Sequence, residues 1–397
     1  MKDGQAWQEI IMQEIEQGQE NYISLRRKYH QIPELSMKEY DTTQSIIFDL
    51  KQMGIDAVAL NPTGVIAYLG PEGGKTIGLR ADIDALAVTE DTGLPFQSQR
   101  PGCMHACGHD GHIAGLLGAA RLLKKWEEKL RIRVKLIFQP SEENTQGAKK
   151  MIKDGVMDDV DMIFGLHLFP DIPYGKVSVE AGPRMAQTDR FTLTFYGKGG
   201  HAAKPHQCVD ATLMAAEFVM SLQTIVSRQL NPVEGAVVTI GSLHSGTQYN
   251  IISPQAEISG TCRSFSVDTA RTMMNGIKKR AQAIADIYGG DLHIDYDFGG
   301  HPPVVNDGDL SRRIREKAEK LMSTTTFAPI PALMLGDDFS WYQEKVPGVY
   351  AFVGCGKENT PLYPNHHPKF DINEKALVQA VGLHISAVLS VMDADGE

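Results

Sequence analysis

Met104-His105-Ala106-Cys107-Gly108-His109-Asp110-Gly111-His112 sets three imidazoles, a thiol and a carboxylate into nine residues. An apolar core gains nothing from histidines at that density, whereas a first-row transition metal takes nitrogen, thiolate and carboxylate donors. The stretch reads as half of a metal site, and the other donors must come from elsewhere in the chain. Residues 132–138 are an apolar, β-branched run bounded by charge, the pattern of a buried strand, and they end in Gln139-Pro140-Ser141-Glu142-Glu143. Residues 160–166 repeat the pattern and deliver His167 at their end. Residues 349–353 form a third such run, and the loop after them carries Asn365-His366-His367-Pro368. Open α/β sheets gather functional groups at the carboxyl ends of their strands, so these donors are expected on one rim.

Working outward, the first 180 residues alternate helical and strand patterns. Helices are predicted at 5–29, 40–54, 113–129 and 147–154, and strands at 65–69, 76–80, 132–138 and 160–166. That alternation predicts an α/β domain with a central sheet. From about 186 the texture changes: strand 189–196, helix 211–228, strands 236–240 and 255–263, helix 267–287 and strand 291–296. Strand, helix, strand, strand, helix, strand is the split βαβ order of a ferredoxin-like α+β domain. After Gly299-Gly300-His301-Pro302-Pro303 the α/β texture returns, with helix 309–322, a strand before Gly336, strand 349–353 and helix 374–392. The expected architecture is thus a discontinuous domain, 1–185 and 298–397, with a second domain, 186–297, inserted into it.

At 397 residues the chain is too long for one ordinary core. Its formal net charge of −10 argues against nucleic-acid and anionic-membrane partners, which need basic surface. The N-terminal segment places Ile10, Ile11 and Ile15 at helical spacing among glutamates, without the uninterrupted apolar run of a signal peptide, and no segment reads as a membrane span. Five scattered cysteines suit a reducing compartment, so a cytoplasmic protein is expected.

Several ordered motifs run through most of the chain. They include Arg26-Arg27-Lys28-Tyr29-His30, Pro33-Glu34-Leu35, Leu79-Arg80-Ala81-Asp82-Ile83-Asp84-Ala85-Leu86, Cys107-Gly108-His109-Asp110, Gln139-Pro140-Ser141-Glu142-Glu143 and Gly165-Leu166-His167. They continue with Gly197-Lys198-Gly199-Gly200-His201, Asn250-Ile251-Ile252-Ser253, Gly260-Thr261-Cys262-Arg263 and His366-His367-Pro368-Lys369-Phe370. In these the chain resembles the M20 metallopeptidase-type amidohydrolases, and within them the N-acyl-amino-acid, hippurate and auxin-conjugate amidohydrolases. The resemblance implies two divalent ions, of manganese, zinc, cobalt or nickel, with Cys107, His109, Glu143, His167 and His366 as ligands. Such a pair, about 3.5 to 4 Å apart, would hold a bridging hydroxide that attacks the amide carbonyl. It implies Glu142 as general base, Asp84 as the group that orients a ligand imidazole, and His201 as a hydrogen-bond donor to the scissile carbonyl oxygen, in its own site or across a dimer. Asn250 and Arg263 match positions that hold the substrate carboxylate, for which a guanidinium offers a two-pronged fork. The inserted domain would act as lid and dimerisation module, making a homodimer.

Each motif also has a plainer reading. Alone, Glu142-Glu143 is an exposed acidic turn, His201 a surface histidine on a hairpin, and Arg263 an exposed strand arginine. His105 and His112 are second-layer or structural histidines, Asp82 and Asp110 are caps or turn residues, and His367 stands one position from the ligand. Ser141 and the segment Asn144-Thr145-Gln146 replace an alanine and a glycine run usual in the subfamily, and Gly336-Asp337-Asp338-Phe339 carries aspartate where glutamate is common. The expected activity is hydrolysis of an N-acyl amino acid to a carboxylic acid and a free amino acid. Rivals are a dipeptidase or aminopeptidase, a catalytically silent metal-binding homologue, and a metal-free hydrolase with Cys107 as nucleophile.

Overall fold

The computed structural model describes residues 2–358 and 361–394. They divide into two compact units, one of residues 1–182, 305–331 and 338–397, the other of residues 183–304 and 332–337.

The first unit is built on an eight-stranded mixed sheet. Its centre is four parallel strands in the order Arg133–Gln139, Thr76–Asp82, Met162–Pro173 and Gly348–Gly356. Every residue of Thr76–Asp82 and of Gly348–Gly356 is buried, as expected for parallel strands covered on both faces. Val65–Leu69 and Ala57–Ala59 extend the sheet antiparallel on one side, and Lys176–Ser178 and Thr326–Phe327 extend it on the other. Helices His109–Lys125, Ala376–Ala394, Gln19–His30 and Gly308–Leu321 pack on one another and the sheet. Among the described residues one helical window, Ala376–Asp393, is long and apolar enough to cross a membrane, and 83% of it is buried inside the protein.

Three departures from the predicted elements have physical causes. The N-terminal helix breaks at Gly18 into Lys2–Gln17 and Gln19–His30, at a glycine, the residue of low helix propensity, where a Cβ would sit 2.2 Å from the Tyr22 hydroxyl. The helix predicted from residue 113 starts four residues earlier, after Gly108 in a left-handed conformation at φ 94°, so His109, Asp110 and His112 form its first turn. The strand expected before Gly336 is only two residues long, Thr326–Phe327, and residues 328–336 add an isolated bridge, Met185 to Leu333.

Arg26, fully buried on Gln19–His30, ties this framework together. It pairs with Asp110 at 2.8 Å, Asp371 at 3.1 Å and Glu374 at 3.2 Å. Burial raises the Asp110 carboxyl, but Arg26 and His30 outweigh it and hold the group far below the usual carboxylate range. Replacing Arg26 by methionine strands that charge without its cation, so a loss of about 3–5 kcal/mol is expected in urea unfolding. A loss under about 1 kcal/mol, the worth of a surface pair, would contradict this account.

The second unit is a four-stranded antiparallel sheet in the order Ala236–Ser245, Gln255–Ser264, Gln187–Tyr196, Asp291–His301. Helices Ala211–Arg228 and Val267–Tyr288 cover one face. Asp210 caps the first helix by accepting the Thr212 N–H at 2.8 Å, and Ser266 caps the second through the N–H groups of Asp268 and Thr269. Strand order and connections are those of the ferredoxin-like fold predicted from the sequence.

Candidate metal and catalytic centre

Three chain segments meet at the carboxyl end of the parallel strands. Thr76–Asp82 ends at Asp82 and leads to Asp84, Arg133–Gln139 leads into the 140–146 turn, and Met162–Pro173 carries His167. His167 is not at a strand end, as the sequence suggested. Its strand pairs with Thr76–Asp82 only as far as Phe164 and then continues beside Gly348–Gly356, where His167 lies opposite Phe352. The strand therefore leaves one neighbour three residues before His167.

The five predicted ligands fall into two overlapping groups. Donor atoms of Cys107, His109 and His167 lie within 4.8 Å of one another, and so do those of Cys107, Glu143 and His366. Cys107 belongs to both. Its Sγ is 3.5 Å from His167 Nε2. The His366 loop is pinned against the Cys107 loop by the His366 N–H on the Ala106 carbonyl, 2.7 Å, and by the Asn365 amide on the Cys107 carbonyl, 3.1 Å. His367 points elsewhere: it stacks on Tyr363 at 4.8 Å, and its Nδ1 accepts the Lys369 N–H.

The donors' chemistry fits a divalent cation. His109 Nε2 and Glu143 Oε1 are buried without a hydrogen-bond partner, 4.0 Å apart. Such orphaned atoms are rare in proteins and here face each other. His109 Nδ1 donates to the Asp84 carbonyl at 2.9 Å, which leaves Nε2 turned inward, a donor atom for a cation once the cation displaces its proton. His167 Nδ1 donates to the Leu168 carbonyl at 3.0 Å, with the same result.

The electrostatics point the same way. Burial pushes the Cys107 thiol well up, and the carboxylates of Glu143, Glu142 and Asp82 push it further. Burial alone would lower His109, but Asp82 and Asp84 overcome it and raise the imidazole to about 10. A site that holds protons on a thiol and an imidazole so firmly is short of positive charge. The raised thiol also opposes the metal-free alternative, since a nucleophilic cysteine needs a lowered pKa.

Asp84 does more than orient an imidazole. Its Oδ1 accepts the Glu142 N–H and its Oδ2 the Glu143 N–H, both at 3.1 Å, and Ser36 Oγ donates to Oδ2 at 2.7 Å. Burial raises this carboxyl, but the hydrogen bond and charge of His109, then Ser36 and the Glu143 N–H, hold it below the usual range. One buried residue thus fixes the His109 ring and the two adjacent glutamates. Glu142 Oε2 stands 3.9 Å from His109 Nε2, beside the donors.

The residues left without a role also find partners. His112 Nδ1 donates to Asp82 Oδ1 at 2.6 Å, and its Nε2 accepts the Leu168 N–H at 3.0 Å, steadying the backbone next to His167. Asp82 pairs in turn with buried Arg80 at 2.6 Å. Asp338 accepts from Gln139 at 2.7 Å and from the Ala148 N–H at 2.9 Å. His105 is buried with neither nitrogen bonded, and burial lowers it to about 3, so it is a neutral ring.

His201, Asn250 and Arg263 belong to the second unit. His201 and Asn250 are neighbours there: Gly200–His201 pairs with Ile251–Ile252, and the Ala202 N–H donates to the Asn250 carbonyl at 3.1 Å. Both are exposed. His201 Nδ1 accepts the Ala203 N–H at 3.1 Å, which places the ring proton on the outward Nε2. Arg263, on Gln255–Ser264, donates to Thr188 Oγ1 and makes no ion pair among the described residues. Burial, then Arg190, lowers its pKa, a guanidinium short of an anion.

Residues 78–390 match the model of peptidase family M20/M25/M40. An N-acetyl-L-cysteine deacetylase of Bacillus subtilis is 40% identical over 381 residues, 94% of this chain and 89% of that protein. Thermostable carboxypeptidase 1 of Saccharolobus solfataricus is 36% identical, covering 96% of this chain and 98% of its own length. Among solved structures, a dinuclear metal binding peptidase of the M20 family from B. subtilis superposes with a TM-score of 0.83 at 35% identity, over 94% of this chain and 98% of that one.

Proposed function

The chain belongs to peptidase family M20/M25/M40, whose members are metal-dependent amidohydrolases, and from that premise we propose that it hydrolyses the amide of N-acyl amino acids. Two divalent ions are part of the proposal, and Cys107, His109, Glu143, His167 and His366 would hold them. When bound, they polarise the amide carbonyl and acidify a water. The protein's own groups do the rest. Glu142, whose backbone is held by Asp84, takes the proton from the attacking water and hands it to the leaving nitrogen. Arg263 and Asn250 bind the carboxylate of the amino-acid half, and the Nε2–H of His201 donates to the carbonyl oxygen as charge gathers on it. Release of a carboxylic acid and a free amino acid completes the reaction. The protein works as a homodimer through its second unit, in the cytoplasm.

The observation that carries this choice over a peptidase is the engagement of the acids around the donors. A dipeptide's free α-ammonium needs a spare carboxylate. Asp82 is held by Arg80 and His112, Asp84 by Ser36 and two N–H groups, and Asp110 by Arg26 and His30. Asp338 is held by Arg80, Gln139 and the Ala148 N–H. Within the first unit that leaves Glu142 and Glu143 beside the donors, and the chemistry uses both. The metal-replete protein is expected to cleave acetyl- and benzoyl-amino acids in preference to dipeptides; cleavage of dipeptides alone would overturn the choice. Thorough chelation is expected to abolish turnover and added divalent metal to restore it, whereas activity that survived chelation would favour Cys107 as nucleophile.

A further inference from the structure

The turn carrying Glu142 and Glu143 is held in a shape its own sequence resists. Ser141 has φ 62° and Thr145 φ 60°, so a left-handed residue stands at each end. Neither is glycine, and each such residue costs about 1–3 kcal/mol, persisting only where its surroundings impose it. Inside the turn, the Thr145 N–H meets the Glu142 carbonyl at 2.7 Å and the Gly147 N–H meets the Ser141 carbonyl at 3.1 Å. Gly147 is obligatory, since a Cβ there would fall 1.7 Å from the Pro140 carbonyl oxygen. These contacts tie the turn to itself. Its placement against the donors comes from three consecutive N–H groups, of Ser141, Glu142 and Glu143.

Asp84 takes the second and third, and Glu39 takes the first. Glu39 Oε1 accepts the Ser141 N–H at 2.9 Å. Glu39 lies at the start of helix Tyr40–Gln52, far along the chain from the turn, and is fully buried. Its carboxylate is locked in place by the Met37 N–H on Oε1 at 2.9 Å and by Thr63 Oγ on Oε2 at 2.6 Å. Met37 is itself left-handed, at φ 63°. A buried carboxylate is costly unless its oxygens are bonded, and here they are spent on two strained backbone sites and one hydroxyl. Nothing in the chemistry of Glu142 or the donors calls for Glu39 to touch substrate.

We propose that Glu39 is a positioning residue for the reaction, its carboxylate fixing the Ser141 N–H so that Glu142 and Glu143 enter the site at the angle their roles require. The inference rests on the roles assigned above to those two glutamates. Burial pushes the Glu39 carboxyl up to about 7, and both its protonation states leave Oε1 free to accept. An amide oxygen serves equally, and Thr63 can turn its hydroxyl to accept from the amide nitrogen. The acceptor, not the charge, is what the turn needs.

The test compares Glu39→Met, which keeps the length and removes the acceptor, with Glu39→Gln, which keeps it, in the metal-loaded full chain. Glu39→Met is expected to lower kcat by about 10–100-fold with KM nearly unchanged, the penalty of a catalytic group displaced by a fraction of an ångström to an ångström. Amide hydrogen exchange of segment 140–146 is expected to rise in the same variant. Glu39→Gln is expected to restore slow exchange and to hold kcat within about threefold of wild type, because its oxygen still accepts. The inference is overturned if Glu39→Met leaves kcat intact, if kcat falls while exchange at 140–146 stays at the wild-type rate, or if Glu39→Gln behaves like Glu39→Met. Should Glu39→Met prove too unstable to purify, Thr63→Val decides: it frees Oε2 and is expected to raise exchange at 140–146 and lower kcat in the same sense, and unchanged values for both would overturn the inference. If wild type cleaves no acyl amino acid, the proposed function fails by itself. The exchange comparison needs no substrate and still decides whether Glu39 holds the turn.

Discussion

Cys107→Ala is expected to cost both halves of the metal centre at once. Its sulfur is the only donor atom common to the Cys107–His109–His167 and Cys107–Glu143–His366 groups, so its loss leaves each with two donors where three stood. Loss of an outer-layer partner of a metal ligand costs about 10–100-fold in affinity or activity, and removal of a shared ligand is expected to exceed the upper figure. Metal analysis after dialysis is expected to show less than half of the wild-type content, and turnover should fall in parallel. The surroundings sharpen the effect. Glu142, Glu143, Asp82 and Asp84 crowd the site with negative charge that the structure balances by holding protons on Cys107 and His109. An alanine offers neither a proton nor a thiolate. His167→Ala serves as the comparison, since it strips a donor from one group only. Equal metal content in Cys107→Ala and wild type would show that the sulfur is not a ligand, and would return the shared position to Glu143 or another group.

The carboxylates set the division of labour in this centre. Asp84 and Glu39 contact no metal donor atom of the turn; they receive its N–H groups. Asp110 anchors the first turn of its helix to Arg26 and His30. Asp82 aims His112 at the Leu168 backbone. The buried charge around the donors therefore serves mainly to hold backbone and rings still.

How much of this the sequence disclosed depends on the range of the interaction that decides each feature. Strand Gly348–Gly356 was legible because burial on both faces leaves a direct mark in composition, and Val65–Leu69 because a strand buried at alternate residues can still be written with mostly apolar residues. Helix Ala211–Arg228 carried its amphipathic spacing. The start of His109–Lys125 was not legible: its signal is one left-handed glycine, Gly108, and the helix then spends its first polar turn on the site instead of on solvent. Likewise, His167 was placed at a strand end because the apolar run stops there, while the backbone ladder continues to Pro173. The donor types stood out in the motifs. Glu39, Ser36 and Asn365 did not, because each acts by holding a backbone or carboxylate group, and nothing in the sequence marks which surface-type residue turns inward to do so.

Glu142→Gln is expected to separate metal binding from proton transfer. The backbone N–H of residue 142 still reaches Asp84, the neighbouring Glu143 keeps its donor oxygen, and the side chain keeps its volume. Metal content and melting temperature should therefore match wild type. What the amide cannot do is take a proton from water and return it to the leaving nitrogen, and positioned acid–base groups supply about 10²–10⁴-fold. A kcat loss in that range with little change in KM is expected, because the group acts in the transition state and not in binding. Full activity in Glu142→Gln would end the role assigned to this side chain. The same variant also tests how Glu39 works. If Glu39 acts through Glu142, adding Glu39→Met to Glu142→Gln should cost far less than it costs wild type, since the group being aimed has already lost its function. Independent, multiplying losses would mean that Glu39 serves the centre chiefly through Glu143, and metal content, unchanged in Glu142→Gln alone, would then fall in the double variant.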